Sequence, residues 1–67
     1  MNLRKFFNKN IKITFFDGEF LTGYVETYTP YYDSIENEEE IAILTLDKKG
    51  PLIGINASEI KDIELLD

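Results

Sequence analysis

Apolar and polar residues alternate most clearly between Ile11 and Tyr28. Lys12 and Thr14 separate Ile11, Ile13 and Phe15, and beyond Asp17-Gly18 the residues Leu21, Gly23, Val25 and Thr27 share one parity. Period-two alternation is the pattern of a half-buried strand. An Asp-Gly pair between two such runs predicts a hairpin, because Asp and Gly tolerate the positive φ angles of primed turns. Strand one is expected over 11–16 and strand two over 19–28. Gly23 lies inside the second strand, where a glycine marks a strong bend or a close backbone approach.

Upstream, residues 2–8 predict a short helix. Asn2 can cap it, and Leu3, Phe6 and Phe7 fall at i, i+3 and i+4 on one apolar face. Asn8 or Asn10 can end it, since Asn tolerates the left-handed conformation. A helix of one or two turns does not persist alone, so it is expected to lay its aromatic face on the sheet.

Downstream, Pro30 ends the ladder because it has no N–H to donate. Residues 29–40 then read as a mobile acidic loop, since a run of acids such as 33–40 repels itself and stays solvated. Strand three, over 41–46, is nearly continuous in apolar residues, which predicts cover on both faces. Asp47-Lys48-Lys49-Gly50 reads as a turn, Pro51 opens strand four over 52–56, and Ala57-Ser58-Glu59 reads as a tight turn of 3₁₀ type. Strand five spans 60–65. Ile60 and Ile63 are three apart rather than two, which predicts a bulge or an irregular start. The whole reads as one all-β domain over 1–67: a small five-stranded, strongly bent antiparallel barrel with a short N-terminal helix.

Composition narrows the remaining options. A chain of 67 residues buries only about 60% of the surface its unfolded form exposes. Small domains add disulfides, metals or oligomerisation, and this one has neither Cys nor His. Oligomerisation is the route left, and no metal or cofactor is expected. The net charge is −6, yet Arg4, Lys5, Lys9 and Lys12 fall in the first twelve residues, which hold no acid. The acidic remainder disfavours non-specific nucleic-acid binding, while the N-terminal segment leaves room for a local basic face. No secretory h-region and no run of roughly 20 apolar residues occurs, so a cytoplasmic protein without a membrane span is expected. Asn56-Ala57-Ser58 fits a glycosylation sequon, read as chance in that setting.

These elements resemble the Sm-like (Lsm) family of small β-barrels. Leu3 to Phe7 stand where that family has its N-terminal helix. Ile11-Lys12-Ile13-Thr14-Phe15 match its first strand, Asp17-Gly18 its turn, and Leu21-Thr22-Gly23-Tyr24-Val25 its bent second strand. Ile55-Asn56-Ala57-Ser58-Glu59-Ile60-Lys61-Asp62-Ile63 keep the apolar spacing of its second motif. The resemblance implies a ring in which strand four of one subunit pairs with strand five of the next. It also implies RNA binding, but here the sequence departs. Where the family has an Asp and an Asn on a short turn after strand two, this chain has Tyr28-Thr29-Pro30-Tyr31-Tyr32-Asp33 and the acidic run. The family's Arg-Gly is Asn56-Ala57, and Asn56 keeps only the hydrogen bonding of the arginine, not its charge or stacking plane.

Without His or Cys, the usual acid–base and thiol mechanisms lack their residues, and a charged loop is a poor place to raise a carboxylate pKa. The loop also fails the calcium template of alternating acids followed by Gly. No enzyme is expected. The candidate contacts are Tyr31 and Tyr32 beside Pro30, able to stack on bases or pack on a partner, together with Asn56. Arg4, Lys5, Lys9 and Lys12 form a basic face that reads either as solvated balance to the acidic remainder or, together with Asn10, as an RNA contact. Three functions remain open: a non-catalytic oligomeric interaction or scaffold module, an RNA-binding ring with altered base contacts, and an acidic mimic of nucleic acid.

Overall fold

The computed structural model describes residues 2–35, 37–45 and 51–66. The turn expected at Asp47-Lys48-Lys49-Gly50, the last residue of strand three (Leu46) and Glu36 of the acidic loop lie outside them. The chain is all-β. Strands β1 (Asn10–Phe15), β2 (Phe20–Thr29), β3 (Glu40–Thr45), β4 (Ile53–Asn56) and β5 (Ile60–Leu65) form one five-stranded antiparallel sheet in the order β4-β3-β2-β1-β5. The sheet is not closed: β4 and β5 stand at its two ends.

The hairpin forms where Asp17-Gly18 predicted, but not through a primed turn. A primed two-residue turn of type I′ needs positive φ at both central residues. Here Gly18 has φ +93° and Asp17 has no positive φ. Phe15 N–H donates to Glu19 O at 2.8 Å and Gly18 N–H donates to Phe15 O at 3.1 Å, so a turn followed by a left-handed glycine joins the strands. The Asp17 carboxylate accepts the Glu19 N–H at 2.9 Å, the local bond that makes Asp a turn residue.

Two features bend the sheet. Between Val25 and Thr27 the β2–β3 register shifts, leaving Glu26 as an exposed bulge residue. Between Thr14 and Phe15 the β1–β5 register shifts, so Asp62 faces Thr14 while Ile60 faces Phe15, and Lys61 is the extra residue that the Ile60–Ile63 spacing foretold. Gly23 answers a close approach: a Cβ there would lie 2.5 Å from Ile43 Cγ2 and 2.6 Å from Leu44 O. One core buries Ile11, Ile13, Val25, Ile41, Ile43, Ile55 and Ile60, and Leu3 and Phe6 pack into it.

The expected helix over 2–8 is a single 3₁₀ turn, Arg4–Phe6. The sheet captures the backbone that would have continued it. Asn8 N–H donates to Val25 O at 3.0 Å and Val25 N–H donates to Lys9 O at 3.0 Å, while Asn8 itself turns left-handed at φ 61°. The apolar face shrinks accordingly: Leu3 and Phe6 are buried, but Phe7 is 43% exposed. Asn2 is not the cap, since Leu3 holds that position.

The 29–40 segment is also more structured than a solvated run. Tyr31–Asp33 forms a 3₁₀ turn, and Glu38, Glu39 and Glu40 are half-buried. Glu40 opens β3, and β2 runs on to Thr29 beside it. The tight turn at Ala57–Glu59 is 3₁₀, as expected. Among the described residues no helix is long and apolar enough to cross a membrane.

Candidate interaction site

Glu39 is the hinge point of the surface around the tyrosines. It shares parity with inward-facing Ile41 and Ile43, so its carboxylate turns toward the body of the fold. There it meets donors that need an acceptor. Leu3 N–H lies 3.2 Å from Oε1 and 3.3 Å from Oε2, and Tyr28 O–H donates to Oε2 at 2.6 Å. Glu39 O also accepts the Ala57 N–H at 2.8 Å. One residue thus ties the N-terminal turn, β2 and the start of the Ala57–Glu59 turn together. Donation to Glu39 raises the pKa of the Tyr28 hydroxyl, with desolvation and the Glu39 charge acting the same way and Arg4 opposing.

Glu38 does parallel work next door. Its Oε1 accepts the Ser58 N–H at 2.8 Å, an orphan donor at the head of the 3₁₀ turn. The Ser58 N–H and hydroxyl hold the Glu38 carboxyl below its ordinary pKa, against a smaller desolvation effect. Neither role of these glutamates was foreseen from the acidic composition. For Glu39 a signal did exist: its inward parity with Ile41 and Ile43.

The sequence-predicted contacts separate into different surroundings. Arg4, Tyr31 and Tyr32 come together in a groove of about 380 Å³ with Tyr28, Pro30 and Glu39. Tyr31 and Tyr32 are 62% and 71% exposed, with ring centroids 5.4 Å apart and planes at 84°. Tyr28 and Tyr24 are half-buried on the sheet, and Tyr24 O–H donates to Asn8 Oδ1 at 3.0 Å. Lys5 is exposed with Nζ 5.3 Å from the Phe6 ring centroid. The Lys9 side chain is exposed, and Asn10 is half-buried opposite Tyr24. Lys12 sits 4.8 Å from the Phe20 ring centroid, near the hairpin end. Lys5 and Lys12 thus stand against different rings, Phe6 and Phe20. Asn56 ends β4 half-buried. Its N–H donates to Glu59 Oε1 at 3.2 Å, and its side chain faces the Glu59 N–H in return, a capping box around the Ala57–Glu59 turn.

Apolar residues also mark both ends of the sheet. Leu52 and Ile53 at β4 are 44% and 40% exposed, and Leu65 and Leu66 at β5 are 46% and 47% exposed. No three acidic side chains among the described residues are grouped to hold a metal ion. No family model, no curated protein and no solved structure matches this chain. The likeness to the Sm-like family therefore rests on the motif residues alone.

Proposed function

We propose that this chain is a non-catalytic, cytoplasmic interaction module: a small Sm-like barrel, capped by its N-terminal turn, that assembles with copies of itself. The observation that carries the reading is the pair of sheet ends, β4 and β5, each bearing exposed apolar residues. An unpaired edge of this kind is a template for another strand. Head-to-tail pairing of β4 with the next copy's β5 satisfies both edges at once, and such a heterologous contact closes into a ring when the rotation allows. Size-exclusion chromatography with light scattering tests it. A discrete ring of about five to eight subunits is expected, and a monomer or dimer at micromolar concentration would sink the ring.

An RNA-binding ring is the second reading, favoured by the exposure of Arg4, Lys5 and Lys9. It is weakened by Asn56, which is engaged at the Ala57–Glu59 turn, and by the carboxylates around Tyr31. Titration with short RNA decides it, because phosphate contacts give an affinity that falls steeply with salt. No binding at low salt removes this reading.

A further inference from the structure

We propose that the tyrosine groove takes a proline-bearing peptide segment in the polyproline II conformation, flanked by basic residues. This deepens the interaction-module reading and rests on it. Three observations carry it.

The first is the shape of the wall. Tyr31 and Tyr32 meet edge to face, Pro30 precedes them, and Tyr28 also lines the groove, so it offers two aromatic faces set at an angle to one another. Aromatic-lined grooves accept the ridged, preformed polyproline II helix at low entropic cost. That helix makes no internal hydrogen bonds and leaves its carbonyls open. The Tyr31 and Tyr32 hydroxyls and the Arg4 guanidinium are the donors along the groove.

The second is preorganisation. Asp33 N–H donates to Pro30 O at 3.0 Å and Ser34 N–H to Tyr31 O at 3.4 Å, so a hydrogen-bonded turn presents the two exposed rings. Less freedom is then lost when a ligand packs on them.

The third is charge. Glu39 lines the groove, Glu38 lies in the adjoining depression that shares Tyr31 and Glu39, and Asp33 and Glu40 flank the far side of the turn. Against these stands Arg4. A field of this sign attracts lysine or arginine at the ends of a peptide and repels the phosphates of a nucleic acid that would otherwise stack on the same rings.

The test titrates the intact chain with a synthetic proline repeat ending in arginine on both sides. Parallel titrations use the same repeat ending in glutamate, an arginine peptide with glycine in place of proline, and oligouridylate. Saturable binding of the first peptide is expected, at least about tenfold tighter than each of the others, and weakened about tenfold or more by Tyr31→Ala with Tyr32→Ala. Ring resonances of Tyr31 and Tyr32 in the wild-type chain should shift during the titration, a readout that needs no variant to fold. Equal binding of the glycine peptide, tighter binding of oligouridylate, unmoved ring resonances or no binding would each overturn the proposal. Light scattering on the same sample keeps the two readings apart. A monomer that binds the peptide sinks the ring alone, and a ring that does not bind it sinks the groove alone.

Discussion

Substituting alanine at three glycines separates crowding from conformation. At Gly23 the added methyl would lie 2.5 Å from Ile43 Cγ2 and 2.6 Å from Leu44 O. Neither neighbour can yield cheaply. Ile43 is 1% exposed and fixed in the core, and Leu44 O belongs to the backbone of β3. The strands must part, and overpacking of this kind costs about 1–3 kcal/mol. Because a backbone atom is involved, Gly23→Ala should fall near the top of that range, about 2–3 kcal/mol. Against a total stability of about 3–10 kcal/mol for a chain this size, that is a large share. For a domain of this length it should lower the melting temperature by roughly 10–20 °C. At Gly18 nothing lies within 4 Å, but φ is +93°, so Gly18→Ala should cost about 1–2 kcal/mol through backbone strain alone. At Gly54 the nearest atom is Glu40 Oε2 at 4.0 Å and φ is not positive, so Gly54→Ala should stay within about 0.5 kcal/mol of wild type. Thermal and urea unfolding followed by circular dichroism give all three values. If Gly23→Ala melts with wild type, or Gly54→Ala does as much damage as Gly23→Ala, the tight β2–β3 approach is wrong.

Leu3→Ala should cost about 2–5 kcal/mol in urea unfolding, since Leu3 is fully buried although the turn that follows it is only one turn long. Tyr28 keeps its proton above the ordinary value of about 10, so its contribution to stability is whole below that pH and is lost as pH rises through the higher folded value. Glu39→Gln should move the Tyr28 transition in an ultraviolet absorbance titration back toward the ordinary tyrosine value, and an unmoved transition would remove the Tyr28–Glu39 bond. Glu38 is the opposite case: its depressed pKa stabilises above the ordinary glutamate value of about 4.3, and that contribution disappears as pH falls through the lower folded value. Melting temperature measured between about pH 5 and 2 should therefore fall less in Glu38→Gln than in wild type. Changing Tyr31 and Tyr32 together to Ala should leave unfolding within about 0.5 kcal/mol of wild type, because both rings stand mostly in solvent, and a collapsed double variant would place them in the core.

What the sequence makes legible here is whatever a local pattern forces. Alternation at Ile11 and Ile13 fixes which side of β1 faces the core, since a one-residue slip would turn every side chain over, whereas β3, read as covered on both faces, buries Ile41 and Ile43 and leaves Ala42 and Leu44 half-buried. The three-residue step from Ile60 to Ile63 breaks the two-residue period of a strand, and Lys61 is the extra residue that carries it, with Ile60 opposite Phe15 and Ile63 opposite Ile13. Gly23 reads as a bend or close contact because no other residue would be left bare inside an apolar strand. The turn chemistry was legible in kind but not in type: Asp17-Gly18 allows several turns, and here Asp17 accepts the Glu19 N–H while only Gly18 of the pair takes a positive φ.

The misreadings at 2–8 and 33–40 have a common physical origin. Local preference gives a helical face in one and a self-repelling acid run in the other, while bonds from elsewhere in the fold hold both: Asn8 N–H to Val25 O, Leu3 N–H to Glu39 and Ser58 N–H to Glu38. A turn as short as Arg4–Phe6 leaves amide donors without partners, and the Leu3 N–H needs an acceptor that helix geometry does not supply. An acid at inward parity needs donors in the same way, and Glu39 finds Leu3 N–H and Tyr28 O–H. Net charge counts Glu38 and Glu39 among the repelling acids, whereas hydrogen bonding makes them the acceptors that fasten the ends of two 3₁₀ turns to the sheet. The same fastening gives the candidate site its form. With Glu39 drawn inward by Leu3 and Tyr28, Arg4 is brought to the groove beside Tyr31 and Tyr32, away from Lys12 at the hairpin end. The aromatic groove thus emerges from a tertiary bond that no local pattern contains.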